Sequence, residues 1–315
     1  MDCILCKRPM TPWLKMPFDP KKKTQISFDT FTFCSNCSLG SMASLPSPEE
    51  VDEFYNLSTY YTQSGSHMPS FRKGFFDKLL TKLAYLVDNG KPKSPVDFKS
   101  RFDKSSKALD IGSGAGEKLI EYDKYGWDTY GLEPDARAVS QRFTNSIKVY
   151  QGTAENVPYE IAERCYDFIS MTHVLEHCRD PDFAIKNVYS LLNKDGIFWC
   201  EVPNSNCEHF KKFNVCSEMF DAPRHIHYFD ETSLRIILEK NGFKIEEIYF
   251  HGFTRHHDLN WRSWERYIYT EANKMTSETI SHDHTFTTSL LLLLRSFYAR
   301  DTKKYDCVGF IASRV

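Results

Sequence analysis

The chain has no uninterrupted apolar stretch near the ~18 to 20 residues that cross a bilayer. Its longest leucine run, Leu290 to Leu294, reads as one buried helix face. It also lacks a charge excess. Forty Lys and Arg against forty-two Asp and Glu leave a formal charge of −2, without the basic footprint of a nucleic-acid binder. Met1-Asp2-Cys3 does not open a basic-then-apolar leader, so no secretory signal is expected. Ten Cys without such a signal suggest a reducing compartment, where thiols bind metal or sit buried, and a cytoplasmic location is expected. Internal repeats and low-complexity tracts are absent.

What is present suits a folded enzyme-sized chain. Hydrophobic residues at 41% and aromatics at 15%, with 24 Phe and 17 Tyr, exclude a disordered or fibrous protein. A chain of 315 residues is expected to form one large domain plus an appendage, burying roughly 75% of its unfolded surface. Cys3-x-x-Cys6 and Cys34-x-x-Cys37 flank a segment of Pro, Lys and alternating aromatics without helical period. Each pair can supply one edge of a tetrahedral site, so the four predict a structural Zn²⁺ centre of ribbon type; the other six Cys show no ligand spacing and read as core thiols.

Ser47-Pro48-Glu49-Glu50 is a helix start with a capping box. Phe71 to Val87 recurs at helical spacing and stops at Asn89-Gly90. From Lys107 short apolar runs alternate with helical stretches: strands at 108–111, 129–132, 147–150, 166–171, 197–202, 243–250 and 307–312, with helices between. That alternation predicts an α/β fold with a largely parallel sheet covered on both faces. The expected domains are 1–45 (zinc module), 46–103 (helical lid and linker), 104–251 (cofactor-binding core) and 252–315 (an insertion or cap, then the final strand).

Leu109-Asp110-Ile111-Gly112-Ser113-Gly114-Ala115-Gly116 is a strand running into a glycine turn and a helix, a geometry that lets a ligand approach free backbone N–H groups. Seventeen residues later Glu133 ends the next strand, where a carboxylate can accept both hydrogen bonds of a ribose diol. A dehydrogenase would space the glycines G-x-G-x-x-G; here the third comes one residue early.

This set of motifs resembles class I S-adenosylmethionine-dependent methyltransferases over roughly residues 104 to 250. The loop from Asp110, the Glu133-Pro134-Asp135 segment, Gln151 to Pro158, Asp167 to His177, and the turn at Leu191 to Gly196 recur in the family's order. The resemblance implies a seven-stranded, doubly wound Rossmann-like sheet whose last strand is antiparallel and inserted beside the sixth. It implies S-adenosylmethionine bound by Asp110, Gly112, Gly114, Gly116, Glu133 and Pro134, by Thr153, Ala154 and Glu155 beside the adenine, and by Thr172 and His173 at the methionine end. Thr153 replaces the family's usual Asp, so the Ala154 backbone or Glu155 is expected to substitute.

The four-Cys head on such a core resembles methyltransferases of sugar-nucleotide and surface-polysaccharide pathways. This implies a small acceptor, a nucleotide-linked sugar or phosphorylated glycan precursor, with no nucleic acid and no membrane span, and it leaves a homodimer open. The alternatives are an RNA methyltransferase with a zinc-bearing recognition module, or a catalytically degenerate zinc-headed binding protein. Methyl transfer to a hydroxyl or carbon acid needs a base. The candidates are His225 and His227, expected to face one side of an extended segment, and then His173. Tyr60, Tyr61, His177 and Tyr228 are the expected acceptor contacts; Trp261, Trp264, Arg262 and Arg266 could stack on a base or sugar and grip a diphosphate.

Overall fold

The computed structural model describes residues 1–55, 68, 70–139, 146–275 and 281–314. Seven strands form the central sheet: β1 (Lys107–Ile111), β2 (Asp128–Glu133), β3 (Ile147–Gln151), β4 (Tyr166–Thr172), β5 (Leu192–Pro203), β6 (Phe243–His251) and β7 (Cys307–Arg314). Their order is β6-β7-β5-β4-β1-β2-β3. β7 lies antiparallel between β5 and β6, while β5, β4, β1, β2 and β3 run parallel. The central strands are buried on both faces. Leu109, Ile111, Ile169, Met171, Phe198 and Cys200 fill one side, and Ala108, Phe168, Ile197 and Trp199 fill the other. Continuous apolar runs rather than alternation are what helices on both faces demand.

The N-terminal strands Thr11–Lys15, Thr30–Cys34 and Leu39–Met42 form a small antiparallel sheet. Its fourth strand comes from the core: His227 and Tyr228 pair with Ser41 and Gly40. Gly40 has to be glycine, because a Cβ there would stand 2.3 Å from the Trp13 ring. Cys3, Leu5, Cys34, Cys37 and Leu39 belong to the same apolar cluster as the central sheet, so the module is sewn into the core.

Ser47 caps the helix Pro48–Phe54 as its sequence predicts, with Glu50 closing the capping box. The second helix starts at Phe75, not Phe71, and runs to Val87. It packs Leu80, Ala84 and Val87 against Phe253, Leu293 and Tyr305 of the 252–306 insertion.

That insertion holds the helices Leu259–Lys274 and Phe286–Ser296. Trp261, Trp264, Arg262 and Arg266 all have partners within the chain. The Trp264 indole N–H donates to Glu218, Trp261 donates to Glu265 (2.8 Å), the buried Arg262 bonds Asp77, and Arg266 pairs with Asp283. Glu265 also accepts from His209 (3.0 Å) and from His284.

Burial holds His225, His227 and His256 down at about 4. An unfolded histidine titrates near 6.5. The unfolded chain therefore binds more protons between about pH 6.5 and 4, and stability is lost as pH falls through that window, by up to about 3 kcal/mol for each residue. Glu265 and Asp306, held well below the carboxylate range against burial by His and Arg neighbours, add to the loss further down. Calorimetry should show the melting temperature dropping steadily between about pH 7 and 5. A level profile would mean that these imidazoles already carry charge in the native state.

Candidate active site

The turn after β1 places Gly112, Gly114 and Gly116 all at positive φ (73°, 50° and 78°). A Cβ on Gly112 would meet Val174 at 2.3 Å, whereas one on Gly114 would meet nothing within 4 Å. The loop is thus packed from behind and open in front of Gly114. Glu133, at the end of β2, bends back to it: one carboxylate oxygen accepts from Gly114 N–H (2.8 Å) and the other from Asp135 N–H (3.0 Å). Burial raises the Glu133 carboxyl above its ordinary value. Asp110 is buried beneath the loop, accepting from Ser170 (2.6 Å) and Lys118 (3.4 Å), and Lys118 in turn donates to Thr172 (2.6 Å).

Beyond β3, Gly152 N–H donates to the Glu133 carbonyl, which sets the 152–156 turn beside the carboxylate. The Thr153 hydroxyl accepts from Asn156 N–H (3.0 Å), and the carbonyl of buried Ala154 accepts from Asn187 (2.9 Å). The two Glu155 oxygens accept from the N–H groups of Arg179 and Asp180 and cap that turn. Pro134 is exposed, and its carbonyl accepts from Gln151.

The carboxyl ends of β4, β5 and β6, with the start of the antiparallel β7, bring together a dense group of titratable side chains. His173 follows β4 in the left-handed region (φ 57°), its N–H held by the Glu201 carbonyl at 2.8 Å. Its ring lies 3.2 Å from the Glu201 carboxylate of β5, 3.5 Å from Glu176, and 3.9 Å from the Cys307 thiol of β7. Burial opposes a charge on this ring, but Cys307, Glu176 and Glu201 override it and hold His173 well above the histidine range. The raised pKa favours the protonated ring, so His173 ranks behind His225 as the candidate base. Glu201 also accepts from Tyr249 (2.8 Å) and lies 2.9 Å from His251, both on β6.

His225 is buried across from Glu176. Its Nδ1 is 3.0 Å from the Met219 carbonyl, so it carries the hydrogen and leaves the Nε2 lone pair facing Glu176 at 4.0 Å. Burial first, and then His177, push its pKa down to about 4. The His177 ring sits 4.7 Å from that of His225; its Nδ1 is bonded to the Arg224 carbonyl (2.9 Å) and the Tyr55 hydroxyl (2.8 Å). Among the described residues no close hydrogen bond reaches either oxygen of the buried Glu176; the nearest polar groups are the His173 ring at 3.5 Å and the His225 ring at 4.0 Å.

His227 and Tyr228 are corrections. His225 lies in a turn, with its N–H on the Asp221 carbonyl, and only 227–228 are extended, so the two histidines do not share a face. His227 is wholly buried between Ser41 (Nδ1, 2.8 Å) and the Arg179 carbonyl (Nε2, 3.4 Å), clasping module to core. Tyr228 packs among Phe31, Phe220 and Trp13, and its hydroxyl donates to backbone carbonyls. Tyr60 and Tyr61 lie outside the described residues.

Glu176, Glu201, His251, Tyr249 and Cys307 were not singled out from the sequence. The one available signal was Glu201, a carboxylate at the end of an otherwise apolar strand. Nearby, a cleft of about 510 Å³ is lined by Thr81, Tyr85, Arg255, Asp258, Asn260 and Trp261. The Arg255 guanidinium is held by Asp306 (2.6 Å) and touches Cys307, which connects the cleft floor to His173.

Cys3, Cys6, Cys34 and Cys37 converge with all four sulfurs within 4.8 Å of one another, and Cys6 and Cys34 are 3.6 Å apart. Thiolates at ~2.3 Å from a tetrahedral Zn²⁺ stand about 3.8 Å apart, so the donor set fits that ion. Lys7 and Ser38, each directly after a Cys-x-x-Cys pair, adopt matching left-handed turns (φ 58° and 56°).

A glycine loop facing a strand-end carboxylate, with titratable groups along the carboxyl edge, defines a nucleoside-binding α/β enzyme site. The family described as a methyltransferase domain matches residues 71–248, more than half of the chain, and the chain belongs to that family. A demethylmenaquinone methyltransferase of Lactobacillus johnsonii is 25% identical over 222 residues, 61% of this chain and 80% of that protein. An uncharacterised methyltransferase of Bacillus subtilis is 26% identical over 99 residues, 29% of this chain; the match spans only 38% of that relative's length. Among solved structures, an S-adenosylmethionine-dependent methyltransferase of Thermotoga maritima aligns at a TM-score of 0.46 with 18% identity, over 75% of this chain and 92% of that one.

Proposed function

We propose that this protein transfers a methyl group from S-adenosylmethionine to a hydroxyl or carbon acid of a small acceptor, a nucleotide-linked sugar or related glycan precursor. The observation that carries the methyl-transfer reading is the glycine loop, open before Gly114 and bonded there by the strand-end carboxylate of Glu133. When bound, S-adenosylmethionine supplies a methyl on a positively charged sulfur, already activated for in-line displacement. Glu133 would hold the ribose hydroxyls, and the 153–154 turn would border the adenine.

His225 takes the acceptor proton at Nε2. Its tautomer suits it to this, because Nδ1 is committed to Met219, and the Glu176 carboxylate stabilises the imidazolium that results. His173, whose protonated form Glu176 and Glu201 favour, would donate hydrogen bonds to oxygen at the same edge and order those two carboxylates. The cleft beside Arg255 offers the acceptor polar side chains and the Trp261 ring. We further propose a structural Zn²⁺ on the four N-terminal cysteines.

A mass-spectrometric screen of nucleotide sugars with isotope-labelled donor tests the acceptor class. Transfer to a nucleotide sugar supports it, and transfer only to RNA or only to quinones overturns it. For the donor, Glu133→Ala should weaken S-adenosylmethionine binding by about 1.5 to 3 kcal/mol per lost charged hydrogen bond, roughly ten-fold or more, with the melting temperature little changed. Calorimetric titration reads this directly. Unaltered affinity would remove Glu133 from the site.

A further inference from the structure

We propose that the outer faces of the helices Phe75–Val87 and Phe286–Ser296 form a peripheral docking surface for an anionic lipid bilayer. Twelve of the eighteen exposed large hydrophobic side chains among the described residues fall in 71–86 and 286–298, so this exposure is concentrated, not scattered. On the first helix Leu80, Ala84 and Val87 face inward. Phe75, Phe76, Leu79, Leu83 and Leu86 form a second apolar stripe, about 100° wide at 100° per residue, beside that buried face. Phe75 is 75% exposed and Leu86 73%. The second helix lies alongside: the Phe76 and Phe286 rings meet at 6.5 Å, and Leu291, Leu294, Phe297 and Tyr298 continue the exposed surface, with Tyr298 at 94%.

Charge decides the occupant. Across 70–87 and 286–300 the only carboxylate is Asp77, and it is bound to Arg262. The exposed ions are all cations: Arg72, Lys78, Lys82, Arg295 and Arg300. On the helical wheel Lys78 and Lys82 border the apolar stripe, where long stems can lie along acyl chains while the ammonium groups reach phosphate. This local excess stands in a chain whose overall charge is −2. A self-complementary contact between two copies would bring these like charges together, whereas an anionic headgroup layer neutralises them. No helix among the described residues is long and apolar enough to cross a membrane, so the contact is peripheral.

The test is co-sedimentation of the full chain with vesicles of phosphatidylcholine alone or mixed with phosphatidylglycerol. Binding should be strong on the mixed vesicles, weak on the neutral ones, and reduced by salt. Lys78→Gln and Lys82→Gln should each lower partitioning about five-fold, the effect of one lysine near an anionic surface. Leu79→Ser with Leu86→Ser should lower it on any vesicle. All these side chains are exposed, so circular dichroism and S-adenosylmethionine affinity should match the parent, which separates this surface from the methyl-transfer reading. Absence of binding to the anionic vesicles at low salt overturns the proposal. So does a dimer in ultracentrifugation that is broken by the leucine substitutions while vesicles capture nothing, because then a second copy covers the face.

Discussion

Replacing His225 with alanine should lower turnover on the true acceptor by ~10²- to 10⁴-fold, the span of general-base catalysis, with S-adenosylmethionine affinity retained. The effect follows from a single lone pair. Nδ1 is tied to Met219, so Nε2 is the only site on this ring that can receive a proton, and Glu176 waits 4.0 Å away to share the charge. Because burial holds this imidazole near 4, it is neutral throughout the ordinary range. The rate should therefore show no acid limb near pH 6.5, and a limb there would assign the proton to another group.

His227→Ala provides the contrast. It removes the bonds to Ser41 and Arg179 and should lower the melting temperature while each folded molecule keeps its turnover. Glu176→Gln should slow the reaction less than His225→Ala and move the base's titration further down. Normal turnover by His225→Ala, measured on an acceptor that the parent methylates, would leave the site working by alignment alone.

Purified protein prepared without chelators should contain one zinc per chain, and Cys34→Ser should lose it together with most of the stability of the N-terminal module. Structural zinc in small domains is worth about 10 to 16 kcal/mol of apparent binding energy, most of it folding energy. Few other single changes in this chain would cost as much. The loss should also reach the site. Leu39–Met42 pairs with His227–Tyr228, two residues beyond His225, and Pro46 just after the module accepts from Arg179. Metal analysis by plasma mass spectrometry, with methyl transfer measured on the same samples, checks both. Zinc-free protein of full stability would remove the metal from the fold, and activity unaffected by Cys34→Ser would uncouple the module from the site.

The strands of the central sheet could be read from the sequence because each is a short apolar run bounded by turn residues, and the glycine loop and Glu133 because their spacing is local. The capping box at Ser47 was local in the same way. Long-range pairing was not visible. Two extended residues, His227 and Tyr228, carry no periodicity, and their partners lie nearly two hundred positions earlier. Placing His225 and His227 on one face of an extended segment put His227, with Tyr228, in the acceptor site, whereas a backbone ladder pairs those two residues with the module. Glu201, His251 and Cys307 meet only because β7 inserts between β5 and β6, so no spacing could have joined them. The tryptophans of the insertion attracted attention as stacking surfaces, yet their indole N–H groups serve buried carboxylates.

The ladder between Ser41 and His227 also constrains how the chain is made. As the chain leaves the ribosome, the four-Cys segment emerges before the region around 227 and could gather the metal proposed for it, but its last strand partner is still unsynthesised. Until the region around 227 appears, Leu39–Met42 presents an open backbone edge, the kind of template on which nascent chains associate wrongly. Closing a loop of that length is entropically slow, so assembly of the N-terminal sheet belongs to the end of folding. Early metal capture would then act as a holding device, keeping the first forty residues compact while the rest of the chain arrives to complete them.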